Sequence, residues 1–238
     1  MSDKILVGDL EAEVVFKNIR NVHLGVYPPD GHIRISAPES MQLENVRLFA
    51  VAKLGWIREQ QKRLLGQRRE APREYVDRES HYIWGRRYML QLVEIDGPPR
   101  ISLAGTRLML YMRPGTDPQD RAQVLDSWYR NEIREALPQL LGIWERRIGV
   151  AVERVFIQYM KTKWGSCNPE RRHIRINTDL AKKPRECLEY IVVHELAHLL
   201  VPVHNDQFLA LMDRHLPQWR DRRELLNALP IRHETWMY

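Results

Sequence analysis

The chain has 238 residues, 44% of them hydrophobic, and a formal net charge of +6. That is enough for a substantial core in one large domain or two small ones, yet no run reaches the ~18 uncharged apolar residues of a membrane span. Two cysteines, Cys167 and Cys187, make no disulfide framework, and the start of the chain has no signal-peptide pattern, so a reducing cytoplasm and no membrane partner are the expectation.

Residues 4–37 read as strands, with β-prone segments at Val14–Lys17, Val22–Tyr27 and His32–Ser36. Pro28-Pro29-Asp30-Gly31 is a turn signal that makes the last two a hairpin. From Leu43 to Leu65, Val46, Phe49, Ala50, Leu54, Ile57 and Leu64 recur at three- and four-residue steps, which predicts one helix. Arg68–Arg73 follows as a polar connector. Strands resume at His81–Ile83, Arg87–Ile95, Ile101–Leu103 and Arg107–Met112, paired around glycine turns at Gly85 and Gly105. Tyr75, Tyr82, Trp84 and Tyr88 read as core rather than as a stacking platform. Residues 1–115 are thus expected to be a small antiparallel β-rich domain with one helix, bounded by Pro114-Gly115-Thr116-Asp117-Pro118.

Residues 116–238 read as a second domain. Asp117 caps a helix with Pro118 at its first position; it is expected to run to Leu137, to be disturbed near Pro138 and to resume to Ile148. Val152–Tyr159 and His173–Asn177 are strands across a loop from Trp164 to Arg172. An exposed strand edge beside a metal helix can hold an extended peptide by main-chain hydrogen bonds. A helix between Pro184 and Pro202 follows. Asn205 or Asp206 caps the next, and Pro217 opens the last. Phe208 and Trp219 are expected to hold the segment around His204 against the core.

The helix between the two prolines carries the chemistry. Ile191–Val201 is apolar apart from His194, Glu195 and His198. His194 and His198 lie one turn apart on the same face, so two imidazoles can bind one metal ion. Glu195, rotated to the flank, is placed to polarise a water on that ion. Chance supplies only about 0.03 H-E-x-x-H motifs in a chain of this composition. Burying a carboxylate between imidazoles is also costly without a partner, and a cation removes the conflict. A catalytic zinc takes three protein ligands and keeps one open position. His204 is the preferred third ligand, with Glu224 and His215 as competitors. His215 and His233 otherwise read as solvated or structural histidines. The H-E-x-x-H-x5-H spacing is that of the metzincins, but Val201 stands where they have glycine and no Met-turn follows.

Lys161-Thr162-Lys163-Trp164-Gly165-Ser166-Cys167, Ile176-Asn177, the run Tyr190–His198, His204 and Phe208 together resemble the YgjP-like metallopeptidases, relatives of the SprT-like zincins. The similarity extends back through Gly85–Leu90 and covers nearly the whole chain. It implies an α+β fold with a zincin-like catalytic domain, Zn2+ held by His194, His198 and His204, and Glu195 as general base. Asn205-Asp206-Gln207 departs from the pattern of the relatives, which touches substrate contacts and leaves the ligand spacing intact. For Lys161–Cys167 two readings stand: a lining of the substrate cleft, or a structural turn in which Gly165 serves backbone geometry. Cys167 is disfavoured both as a nucleophile and as an extra ligand.

The expected function is a zinc metallopeptidase acting on a peptide or protein. Two clusters are basic: Arg58, Lys62, Arg63, Arg68, Arg69 and Arg73, then Lys161, Lys163, Arg171, Arg172 and Arg175. They read either as solvated surface or as DNA contacts, and the SprT-like relatives add DNA-associated proteins as targets. The alternatives are a metal-dependent hydrolase of a non-peptide substrate and a binding module with a vestigial zinc site. Glu195 argues against the last, because a structural site needs no base.

Overall fold

Burial alternates along the N-terminal strands, so one face of each is apolar. Ile5 and Val7 of β1 (Asp3–Val7) and Ala12 and Val14 of β2 (Leu10–Lys17) point inward. Beyond β3 (His23–Tyr27), Ile33, Ile35 and Ala37 of β4 (His32–Pro38) do the same. These strands form a sheet in the order β1-β2-β4-β3. Helices α1 (Leu43–Ala52) and α2 (Leu54–Gly66) cover it through Val46, Ala50 and Ile57. The single helix expected here is two, because Lys53 leaves helical geometry at φ −103°, ψ 8°. The computed structural model describes residues 3–27, 31–66 and 70–230. The turn residues Pro28–Asp30, together with Arg68, Arg69 and His233, lie outside them, as does the side chain of Arg63.

The chain divides after Ala71, and Pro72–Leu229 form the second compact unit. It opens with β5 (Ser80–Ile83), β6 (Arg86–Glu94), β7 (Arg100–Ala104) and β8 (Arg107–Met112), in the order β5-β6-β8-β7. The connectivity repeats that of the first sheet: two hairpins joined by a parallel central pair, β2 with β4 and β6 with β8. One antiparallel sheet was expected for residues 1–115, and two mixed sheets are found. Period-two patterning identifies strands but not their partners.

The boundary expected at residue 115 also moves to 71/72. Ile83, Leu90, Leu108 and Leu110 share one core with Leu125, Tyr129, Ile133 and Leu137 of α3 (Pro118–Ile148), so the second sheet cannot be parted from the helices after it. Asp117 caps α3 by accepting from the Asp120 N–H at 2.8 Å. The helix runs on through Pro138 without the expected interruption; Trp144, buried in the same core, holds its far end down.

A three-stranded sheet follows in the order β10-β11-β9, from β9 (Arg154–Gln158), β10 (Gly165–Asn168) and β11 (His173–Asn177). β10 lies inside the segment expected to be a loop. A 3-10 turn, Thr178–Lys182, leads to α4 (Arg185–Ala197), α5 (Asp206–His215) and α6 (Trp219–Ala228).

His81, 1% exposed, is the buried titratable group of the second sheet. Its Nδ1 is 3.5 Å from the Tyr129 hydroxyl and its Nε2 3.4 Å from Glu79. Burial, then the charges of Arg73 and Lys182, lower its pKa to about 3. Between that value and the ordinary 6.5 the unfolded chain binds a proton the folded one refuses, so stability falls as pH drops through this window. His81→Gln is expected to flatten the fall by at most ~1.4 kcal/mol per pH unit, read by denaturant unfolding of both proteins between pH 7 and pH 4.

Candidate metal centre

α4 is buried on nearly every side, with Cys187, Leu188, Ile191, Val192, Val193, Leu196 and Ala197 all in the core. Its start is held by the β5–β6 turn. The Trp84 N–H donates to the Ala181 carbonyl at 2.7 Å, and the Arg185 guanidinium lies over the Trp84 ring at 4.2 Å. Gly85, at φ 78°, sits so close that a Cβ would meet Pro184 Cγ at 2.8 Å. The helix ends at Ala197, ahead of Pro202, with His198 as its C-cap.

Three imidazoles converge where α4 ends. His204 Nε2 lies 3.1 Å from His198 Nε2 and 3.0 Å from His194 Nε2. Ligands bound to one tetrahedral ion at ~2.0–2.1 Å stand about 3.3 Å apart, so the spacing fits a shared cation. Among the described residues, this is the cluster of His, Cys, Asp or Glu able to hold a metal. Neither Glu224 on α6 nor His215 on α5 belongs to it.

The donor chemistry fits as well. His198 Nδ1 stands 3.1 Å from the Val201 carbonyl. A carbonyl only accepts, so Nδ1 carries the proton and Nε2 keeps its lone pair. Burial lowers the pKa of His198, and lowers that of His194 to about 3; both rings are therefore neutral at pH 7, the ligating form.

Phe208, 1% exposed, is the floor beneath the three rings, with centroids 5.0 Å from His194, 4.6 Å from His198 and 4.7 Å from His204. It is placed by Asn205, which caps α5 by accepting from the Phe208 N–H at 3.0 Å. Capping residue, packing ring and His204 thus share one short segment, as the sequence suggested. Trp219 is buried in the same core, its Nε1 donating to Asp213 at 2.7 Å.

Glu195 is 4% exposed. Burial raises its pKa to about 8, opposed by the positive charge of Lys163. That lysine belongs to the Lys161–Cys167 segment, which packs beside α4. Asn177 pins the segment: its Nδ2 donates to the carbonyls of Met160 and Lys163 at 2.7 Å each, and its N–H to Trp164 at 2.9 Å. Lys183 Nζ, 5.8 Å from the Trp164 ring centroid, adds a further tie. Gly165 then faces the Glu195 carboxylate. Its φ is not positive, so backbone conformation is not what requires glycine there; the expectation that it serves backbone geometry is replaced by close approach. Cys167 stays outside the histidine cluster, and burial, then the Glu195 charge, raises its thiol to about 11.

The basic clusters are only partly free surface. Arg73 donates to the Ser80 carbonyl and pairs with Glu79 at 3.7 Å, while Arg58 pairs with Asp9 at 2.6 Å. The Arg172 Nε donates to the Ala151 carbonyl at 2.8 Å.

Three converging imidazoles, two of them from α4, with the buried Glu195 next in sequence to His194, are the arrangement expected of a metal-dependent hydrolytic centre. The chain belongs to the YgjP-like metallopeptidase family, whose metallopeptidase-domain model matches residues 20–229. Among solved structures, it is similar to the metallopeptidase zymogen abylysin of Pyrococcus abyssi at 19% identity, over 40% of this chain and 98% of that one, with a TM-score of 0.36. It is also similar to the metallopeptidase zymogen jannalysin of Methanocaldococcus jannaschii, at 22% identity over 41% and 83%, with a TM-score of 0.29. Comparison with curated proteins gives no match. No helix among the described residues is long and apolar enough to cross a membrane.

Removing the shared floor should loosen all three rings together. Phe208→Ala is expected to cost ~3–5 kcal/mol of stability in the metal-free protein, and to weaken metal binding. Denaturant unfolding and metal titration of the same samples check both.

Proposed function

We propose that this metallopeptidase uses zinc, held by His194, His198 and His204, to hydrolyse peptide bonds with Glu195 as the proton carrier. The observation that carries the reading is the convergence of the three Nε2 atoms beside the buried Glu195. When bound, zinc supplies Lewis-acid chemistry, lowering the pKa of a coordinated water toward ~7 and polarising the scissile carbonyl.

Glu195 does the proton work. Burial alone favours its protonated form at neutral pH, and a neighbouring cation favours the carboxylate, so together they poise it near the working pH. A carboxylate oxygen takes the proton of the attacking water and then delivers it to the leaving amine nitrogen. The substrate backbone lies along β10, the edge strand of its sheet among the described residues. Because the Asn177 N–H donates to the Trp164 carbonyl, the antiparallel alternation turns the main-chain groups of Gly165 and Cys167 away from β11. Those groups are available to an extended peptide, in the manner of strand addition.

Glu195→Gln is expected to retain its metal while hydrolysis of a denatured protein substrate falls ~10²–10⁴-fold; proteolysis at the wild-type rate would overturn the role of Glu195. For the ligand set, His204→Ala should be depleted of zinc by elemental analysis after dialysis, where wild type holds about one ion per chain. Full zinc in that variant would move the third ligand elsewhere. Running the hydrolysis assay with ester and amide panels, and with and without duplex DNA, tests substrate class and any tether through the basic clusters.

A further inference from the structure

Gly165 stands where Glu195 leaves no room for a side chain. A Cβ built on it would collide with Glu195 Oε1 and lie 2.9 Å from both Cδ and Cγ. Contacts this close mean that something must shift, and Cγ, unlike the oxygen, is not the free end of the side chain. Neither partner yields easily. Glu195 is packed in the buried body of α4, and Gly165 is paired with Ile176 in β10, just after the Trp164 carbonyl that Asn177 grips. Cys167, two residues along and so on the same face of the strand, is itself small and feels the Glu195 charge.

We propose that Gly165 is a positioning residue for the reaction: its missing side chain sets how far the Glu195 carboxylate projects beside the three imidazoles. The proposal rests on the reading of Glu195 as the proton carrier. It also gives one residue two jobs, since Gly165 faces the base through its Cα and the open edge of β10 through its main-chain groups. A shift of either would misplace the base relative to a bound backbone, and proton transfer demands placement within hydrogen-bond reach.

The test is a double-mutant cycle on the full chain, read first without any activity. Gly165→Ala is expected to lower the melting temperature of the metal-free protein by about 4 °C or more, and to leave it unchanged within error in a Glu195→Ala background, where the space beside the new methyl is vacated. Equal losses in both backgrounds would overturn the proposal, because a merely structural glycine does not distinguish them. If Gly165→Ala fails to fold alone but folds with Glu195→Ala, the coupling is shown directly. The second readout is kinetic. Zinc-loaded Gly165→Ala is expected to keep about one ion per chain and a wild-type KM while kcat falls ~10²-fold; an unchanged kcat would overturn it. Wild type that hydrolyses no peptide would defeat the proposed function, and the melting cycle would still decide whether Gly165 governs Glu195.

Discussion

The interaction on which the rest depends is the desolvation of Glu195. A carboxyl group next to a histidine, on a helix buried nearly all round, is expensive to keep ionised. The positive charge of Lys163 offsets only part of that cost, and burial raises the pKa of Glu195. The neighbouring imidazoles are driven the other way, toward neutrality, by the same burial. The same burial thus disfavours the charged form of both kinds of group. Imidazoles that converge on one point can turn their nitrogen lone pairs to a cation, which is the physical basis for reading the site as a metal centre.

The scaffold around α4 serves that constraint. Its first turn is clamped by Trp84 and Gly85 from the β5–β6 hairpin, and its flank is met by a segment that Asn177 fastens with three hydrogen bonds. Below its C-terminal end Phe208 spans all three rings. Each clamp comes from a different element, so the geometry at Glu195 is set by tertiary packing from several directions and not by the helix alone.

The two four-stranded sheets show how one topology takes different duties. Both place a glycine at positive φ in their first hairpin, Gly8 at 67° and Gly85 at 78°. In the first unit that turn approaches Leu54 of the helix following its own sheet; in the second it approaches Pro184, the cap of α4. The hairpin is the same device, and what it holds differs.

Much of the site was legible in the sequence because its logic is local. A spacing of four puts His194 and His198 on one helix face, Asn205 or Asp206 announces the cap of α5, and a short segment keeps His204 within reach; none of this needs a distant residue. The strands were legible too, from alternation alone. Their partners were not, so one antiparallel sheet became two mixed ones and the domain boundary moved from 115 to 71/72. Nor was Gly165: a glycine in a sequence signals conformational freedom or closeness without saying which, and only packing β10 against α4 shows that it is closeness, to Glu195. Local spacing therefore pointed to the candidate ligands and to Glu195, whereas tertiary structure decided what surrounds them, because steric exclusion between residues thirty positions apart leaves no mark on either neighbourhood.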